Sequence, residues 1–242
     1  MVELSATQLR YTRVAMVLHW LIAALIIYNL AIGYFMEGLV QPLRGIIILS
    51  HISSGITVLA LTVIRVLWRL THNPPAYPPE MKPWEHKVAH IVHFALYAAM
   101  VLMPLTGWAL VSANPPKGSP GAAAAALAAM NHGALQASEQ APPAGRSLKT
   151  DGPPPPRNVS GLKVWGVIPL PMIAPVARLG ASPGGVGPQK ELHDTFVHWH
   201  AIGSYLLIAL LILHIAGALK HQILDRQPEL ARMGIGRIES VR

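Results

Sequence analysis

The stretch that decides the fold runs from Trp199-His200-Ala201-Ile202-Gly203 to Leu213-His214-Ile215-Ala216-Gly217. His200 and His214 are fourteen residues apart in an apolar segment. At about 100° per residue, fourteen steps return a side chain to within about 40° of its first direction, roughly 21 Å along a helix. The spacing predicts one helix with two imidazoles on one face, near opposite ends of a membrane-sized span. The glycine three residues after each histidine leaves room for a large flat group.

The composition also points to a bilayer. Of the 242 residues, 52% are hydrophobic and only 12% are charged, whereas soluble domains carry about 25% charged residues. The net charge of +8 does not indicate nucleic-acid binding, because the basic residues form no patch with interleaved aromatic residues. The absence of cysteine excludes disulfides, thiolate metal sites, iron–sulfur clusters and haem attached through C-x-x-C-H.

Four apolar segments are long enough to cross a bilayer, at about residues 14–36, 45–70, 88–111 and 196–219. The short connection after the first makes the second antiparallel to it. We predict an all-α integral membrane protein, a single domain over residues 1–242 with an antiparallel four-helix bundle. The first segment is interpreted as a retained span because no small-residue cleavage site ends it.

The long connection at residues 114–191 is rich in alanine, proline and glycine. We predict a largely disordered periplasmic loop, in which Ala122–Met130 can form a short helix. Its apolar part, Val164–Pro171, is too short to span and is predicted to lie against the bundle at the membrane surface. Basic residues near the ends of the spans predict a multi-pass protein of the cell inner membrane with both termini in the cytoplasm.

The other spans supply histidines at matching depths. His19 lies early in the first span and His51 early in the second. In an antiparallel bundle this predicts the pairs His19 with His214 and His51 with His200, about 20 Å apart across the membrane. Two separate imidazole pairs in apolar surroundings suit two b-type haems. Zinc and copper sites fit less well, because they usually need three or four converging ligands.

Several further polar residues have two interpretations. Arg65 lies fourteen residues after His51, and Arg65 and Arg69 either bind haem propionates or act as topology-setting basic residues. His86, His90 and His93 share one face at the start of the third span. They either tune a haem or relay protons at a quinone pocket, or they form an interfacial polar face.

At these positions the chain resembles the bacterial cytochrome b561 family, which is related to the membrane cytochrome b subunits of nickel–iron hydrogenases. The matching segments are Arg13–Trp20, Leu49–Gly55, Ala89-His90 with His93 and Tyr97, Pro104–Trp108, Trp199-His200 and Leu213–His221. The resemblance implies that His19, His51, His200 and His214 are the axial ligands of two haems b. It also implies electron exchange with ubiquinone and, in one branch, superoxide as the donor.

The main hypothesis is a membrane diheme cytochrome b that transfers electrons across the bilayer to or from ubiquinone, as a carrier or as a quinone-linked oxidoreductase. The first alternative is a membrane-anchoring electron-transfer subunit that works with a redox partner protein in a hydrogenase or dehydrogenase complex. The second is a transporter that uses its histidines for metal ions or protons. It is disfavoured because the cores of the spans lack the acidic residues that proton relays use.

Overall fold

The computed structural model of the chain describes residues 10–75, 81–139 and 162–236. These residues are mostly helical, and the helices are α1 Arg13–Phe35, α2 Leu43–Thr71, α3 Pro83–Ser112, α4 Pro120–Glu139, α5 Ala174–Leu179, α6 Val186–Leu219 and α7 Glu229–Arg232. Two short strands, β1 Lys163–Val164 and β2 Ile168–Pro169, pair antiparallel. Short 3-10 turns occupy Met36–Gly38 and Pro183–Gly185, and a π turn, Lys220–Leu224, follows α6.

Four helical stretches are long and apolar enough to cross a membrane. They are α1, α2, α3 and the continuous stretch Pro183–Leu224, which contains α6. Most side chains of these helices are not buried inside the protein, and large apolar ones such as Tyr34 and Phe94 are among the most exposed. A bilayer accounts for such exposure, because lipid rather than water then covers the apolar surface. The predicted fold class is confirmed.

The third and fourth spanning helices begin earlier than their apolar runs predict. At the start of α3, Glu85 Oε2 accepts a hydrogen bond from the Lys82 backbone N–H at 3.0 Å, and Pro83 takes the first helical position. Both are signals that start a helix ahead of its apolar part. In α6, which begins at Val186, Pro188 lies within the first turn, where a proline removes no helical hydrogen bond.

The connection between α3 and α6 contains more regular structure than the sequence predicts. The predicted short helix Ala122–Met130 is part of the 20-residue helix α4. Alanine has the highest helix propensity, and the Ser119 hydroxyl caps the helix by accepting from the Ala122 N–H at 3.1 Å. The hairpin, α5 and the start of α6 occupy residues 162–191. Residues 140–161 lie outside the described part of the chain.

The chain forms two compact units. The first contains the chain up to Leu105 together with the part from His200 onward, and the second is Thr106–Trp199. The core of the first unit takes a residue or more from each spanning helix, and its buried members are Ile22, Ile26, Val58, Val92, Leu96 and Leu207. Because all four helices share this core, it holds their relative rotation and therefore the direction in which each polar side chain points.

Candidate functional site

The rings of His19 and His214 lie close together, edge to face, inside the first unit. Their centroids are 6.1 Å apart, and their planes meet at 66°. His19 is the seventh residue of α1, and His214 lies near the end of α6. Both side chains are half-buried. The structure thus brings together the first predicted pair, from helices nearly two hundred residues apart in sequence.

The rings of His51 and His200 form a second pair with the same spacing. Their centroids are 6.1 Å apart and their planes meet at 72°. Both side chains are half-buried. His51 Nδ1 is buried and makes no hydrogen bond with the residues that the structure describes. The second predicted pair is therefore also brought together, from α2 and α6.

The separation of the ring centroids fits one metal ion held between the two rings of each pair. A metal–imidazole bond is about 2 Å long and a ring centroid lies about 1 Å from the ligating nitrogen, so two rings on opposite sides of one ion have centroids about 6 Å apart. The observed 6.1 Å in both pairs agrees with this separation. Imidazoles in an apolar bundle are also the donor set that a bis-histidine haem requires.

The His19–His214 pair has aromatic and basic neighbours. The His93 ring lies 5.2 Å from the His214 ring, and the Trp20 ring lies 5.1 Å from the His19 ring. His90, one turn from His93, is exposed, and its Nδ1 is 3.1 Å from the His86 carbonyl oxygen. Of the three histidines at the start of α3, the structure therefore places only His93 in ring contact with the pair.

Arg65 lies at the same end of the bundle as His19. Its Nε donates to the Tyr97 hydroxyl at 3.0 Å, and its Nη1 donates to the Ala15 carbonyl at 3.2 Å. Ala15 is one helical turn before His19. Arg69 is exposed and lines a shallow cleft with Arg65. The other side chains at this cleft include three aromatic residues, namely Tyr11 just before α1, Trp68 of α2 and Tyr97 of α3.

Two of the glycines near the second pair accommodate neighbouring polar side chains. A Cβ on Gly33 would lie 3.0 Å from Cε1 of His51, and a Cβ on Gly55 would lie 3.4 Å from Nδ2 of Asn29. The Asn29 Oδ1 in turn accepts from the Ser54 hydroxyl at 2.6 Å. The absence of a side chain at Gly33 therefore makes room for the imidazole of His51.

The two glycines of α6 differ from each other. The space beside Gly203 is filled by the Met103 side chain, whereas a Cβ on Gly217 would meet nothing within 4 Å. The thioether of α3 occupies the position beside Gly203, and the approach of a flat group to these two glycines stays a prediction. Periodicity places a glycine on the same face as a histidine, but only the packing decides what approaches it.

A network of charged groups joins the start of α3 to the end of α6. Lys220 Nζ donates to Glu85 Oε1 at 2.6 Å and to Asp225 Oδ2 at 2.7 Å, and His221 Nδ1 lies 2.7 Å from the same Asp225 oxygen. The hydrogen bond from Lys220 holds the pKa of Asp225 below its usual value. Glu85, His221 and Asp225 are grouped closely enough for a metal ion, but the ammonium between the carboxylates already supplies the positive charge.

The C-terminal segment packs against the start of α1, which sequence reasoning missed. Trp20 Nε1 donates to the Met233 carbonyl at 2.9 Å, and the Tyr11 N–H donates to the Arg232 carbonyl at 3.2 Å. Arg232 is buried and pairs with Glu229 at 3.2 Å. The Glu229–Arg232 spacing of three residues is a helical ion-pair spacing and was the available signal.

Comparison with known proteins gives one family and several relatives. The family model described as prokaryotic cytochrome b561 matches residues 10–236. A probable superoxide oxidase, CybB, from Yersinia pestis is 28% identical over 105 residues, which are 42% of this chain and 58% of that protein. Cytochrome b561 homolog 2 of Escherichia coli (strain K12) is 30% identical over 112 residues, 43% of this chain and 57% of the homolog. These matches span less than two thirds of either relative.

Proposed function

The chain belongs to the prokaryotic cytochrome b561 family of membrane electron-transfer proteins, and from this premise we propose a diheme cytochrome b that exchanges electrons with ubiquinone. Membership of the family implies b-type haem. We infer two haems because two histidine pairs have the same distance between ring centroids, 6.1 Å. Each separation suits one ion between two imidazoles.

We propose that His19 and His214 hold one haem and that His51 and His200 hold the other. Haem supplies reversible one-electron exchange when it is bound. The shared helix α6 carries a ligand of each pair, and fourteen residues of helix separate the two ligands by roughly 21 Å. A single rigid helix therefore keeps the two sites at a constant distance, which suits electron transfer from one membrane surface to the other.

Arg65 is proposed to bind a haem propionate at the His19–His214 site. Its guanidinium has five N–H donors, and the hydrogen bonds to Tyr97 and Ala15 orient the group without using all of them. Arg69, which is exposed beside the same cleft, is proposed as a second cation for these carboxylates. Charge-assisted hydrogen bonds of this kind are stronger than neutral ones.

We further propose the cell inner membrane as the location, with both termini in the cytoplasm and residues 114–191 in the periplasm. The support is the excess of basic residues at the ends of the spans on the side of the termini. This orientation places the His19–His214 pair towards the cytoplasm and the His51–His200 pair towards the periplasm.

The haem content of the purified full chain tests the central proposal. The reduced-minus-oxidised absorbance spectrum should show paired b-type bands, and a haem assay should give two haems per chain. His198→Ala is a matched control, because His198 is exposed on α6 two residues before His200. This variant should keep both haems. One haem per chain in the unmodified protein contradicts the diheme assignment.

Electron partners are tested separately by stopped-flow reduction of the purified protein with ubiquinol and with superoxide. We propose superoxide as a donor because one relative is a probable superoxide oxidase. Rapid haem reduction by superoxide, followed by reoxidation by ubiquinone, is the expected result. Reduction by neither donor, together with a tightly bound dehydrogenase in a mild-detergent pull-down, would instead assign the chain as an anchoring subunit.

A further inference from the structure

We propose that the β1–β2 hairpin inserts its tip into the interface of the bilayer and anchors the Thr106–Trp199 unit to lipid. The proposal concerns residues 162–170, none of which belongs to either histidine pair. It depends on the four spanning helices and not on the haem or quinone assignments. The occupant is the lipid surface itself, recognised through apolar side chains and one cation.

The hairpin is tightly closed by its backbone. Leu170 N–H donates to the Leu162 carbonyl at 2.8 Å, and Val167 N–H donates to the Val164 carbonyl at 3.1 Å. The two residues inside the turn, Trp165 and Gly166, have φ angles of 52° and 73°. Positive φ at both central positions is the geometry that suits a tight hairpin. An aromatic residue is uncommon in this region of φ, so the turn holds Trp165 at the tip at some conformational cost.

The outward face of the hairpin is apolar. Trp165, Val167 and Ile168 are 51%, 75% and 62% exposed, while Val164 points inward and is 6% exposed. The stretch from residue 162 to residue 173 contains a single charged side chain, the exposed Lys163. Exposed apolar residues of this size are costly in water. In a bilayer interface the same set is favourable, because tryptophan prefers the headgroup level and a lysine pairs with anionic lipids.

Hydrogen bonds hold the chain after the hairpin against the end of a spanning helix. Trp108 Nε1 donates to the Pro171 carbonyl at 2.8 Å, and Ile173 N–H donates to the Ser112 hydroxyl at 2.9 Å. Ser112 is the last residue of α3, and Trp108 lies about 6 Å before it along the axis. Because α3 crosses the membrane, these contacts keep the segment at the depth where its interface begins. The hairpin segment is thus joined by hydrogen bonds to the C-terminal end of α3.

Site-directed spin labelling tests the insertion directly, since the chain has no cysteine to remove. Nitroxide labels are placed at Val167→Cys, with Ile168→Cys as a second site. The full chain is studied in nanodiscs of phosphatidylcholine and phosphatidylglycerol. Gly184→Cys is the water-side control, because it belongs to the same unit, is exposed and has nothing within 4 Å of an added Cβ. Phe94→Cys on α3 is the lipid-side control.

Relaxation by dissolved oxygen is compared with relaxation by a water-soluble nickel chelate. The oxygen-to-nickel ratio at residues 167 and 168 should be several-fold higher than at residue 184 and should approach that at residue 94. A ratio at 167 and 168 equal to that at 184 overturns the proposal. Spin–spin broadening that disappears when labelled chains are diluted with unlabelled ones also overturns it, since a second copy would then cover the hairpin.

Discussion

The two histidine pairs share one geometry and differ in their surroundings. Both have ring centroids 6.1 Å apart. The His19–His214 pair has His93 in ring contact and a charged network beyond the end of its helix. The His51–His200 pair has a close approach between His51 and Gly33. The rotation of the helices thus sets the distance between the two rings of each pair. The neighbouring side chains differ between the pairs and can therefore give two similar sites different properties.

Removing one ligand from each pair is the strongest test of their independence. His200→Ala should lose only the haem of the His51–His200 pair, and His214→Ala only the haem of the His19–His214 pair. Each variant should fall from two haems per chain to one, because an axial position is lost at one site. A haem assay with difference spectra measures this. The spectral components lost in the two variants should add up to the spectrum of the unmodified chain.

His193→Ala serves as the matched control for these ligand variants. His193 lies seven residues before His200 on nearly the same face, and its Nδ1 is 3.2 Å from Asp194 Oδ1. We expect this variant to keep both haems. If His193→Ala lost a haem while His200→Ala retained both, the assignment of the second pair would have to move by two helical turns.

Gly33→Ala should disturb the second pair alone. The added Cβ would lie 3.0 Å from Cε1 of His51, so the ring or its helix must shift by a few tenths of an ångström. We expect a loss of stability of about 1–3 kcal/mol, as for other overpacked sites. When haem release on heating is monitored by absorbance, the haem of the His51–His200 pair should be released at a lower temperature than in the unmodified chain.

Gly38→Ala provides the comparison for the glycine substitution, since its added Cβ would meet nothing within 4 Å. The haem-release temperatures of Gly38→Ala should match those of the unmodified chain. An equal effect of Gly33→Ala on both haems would indicate a general loss of bundle stability rather than pressure on the His51 ring.

His93→Asn should alter the first pair alone and by a smaller amount. The substitution removes the ring 5.2 Å from His214 but keeps a polar group. We expect the midpoint potential of one haem to move by less than about 59 mV, which corresponds to a tenfold change for one electron. Potentiometric titration measures this, with the exposed His90→Asn as control. A shift of both potentials would show that His93 acts through the whole bundle.

The smallest expected effect is a pH dependence at the end of α6. Lys220 lowers the pKa of Asp225 in the folded chain, so the contact stabilises the fold above the ordinary carboxyl pKa of about 3.9. This contribution is lost as the pH falls through the lower, folded value. Asp225→Asn should therefore be less stable than the unmodified chain at pH 6, and thermal unfolding should show the difference shrinking below about pH 4. A difference that persists unchanged at pH 3 contradicts this assignment.

The helix α6 shows most clearly how much of the fold the sequence predicts. Its apolar length and the fourteen-residue spacing of His200 and His214 are local properties, and helical periodicity converts them into one face with two imidazoles. The predicted depths of His19 and His51 then follow from the alternating direction of successive spans. These inferences anticipated which rings meet, and the ring distances agree. The ligand role of the four histidines stays a prediction until haem is measured.

Other features depend on contacts that periodicity does not contain. The sequence placed His86, His90 and His93 on one face alike, but only His93 reaches the His214 ring. It placed Gly203 and Gly217 alike, but only Gly203 has Met103 against it. In each case the deciding partner lies on another helix, and small differences in rotation and depth determine which residue it meets.

By itself the sequence determined the membrane class, the four candidate spans and which histidine rings lie together, because bilayer thickness and the helical repeat act on each segment separately. Only the tertiary structure decided what surrounds each pair, the burial of Arg232 and the position of the β1–β2 hairpin beside the end of α3. These depend on close packing between residues far apart in the chain, and such packing is specified by the whole set of side chains rather than by any one segment.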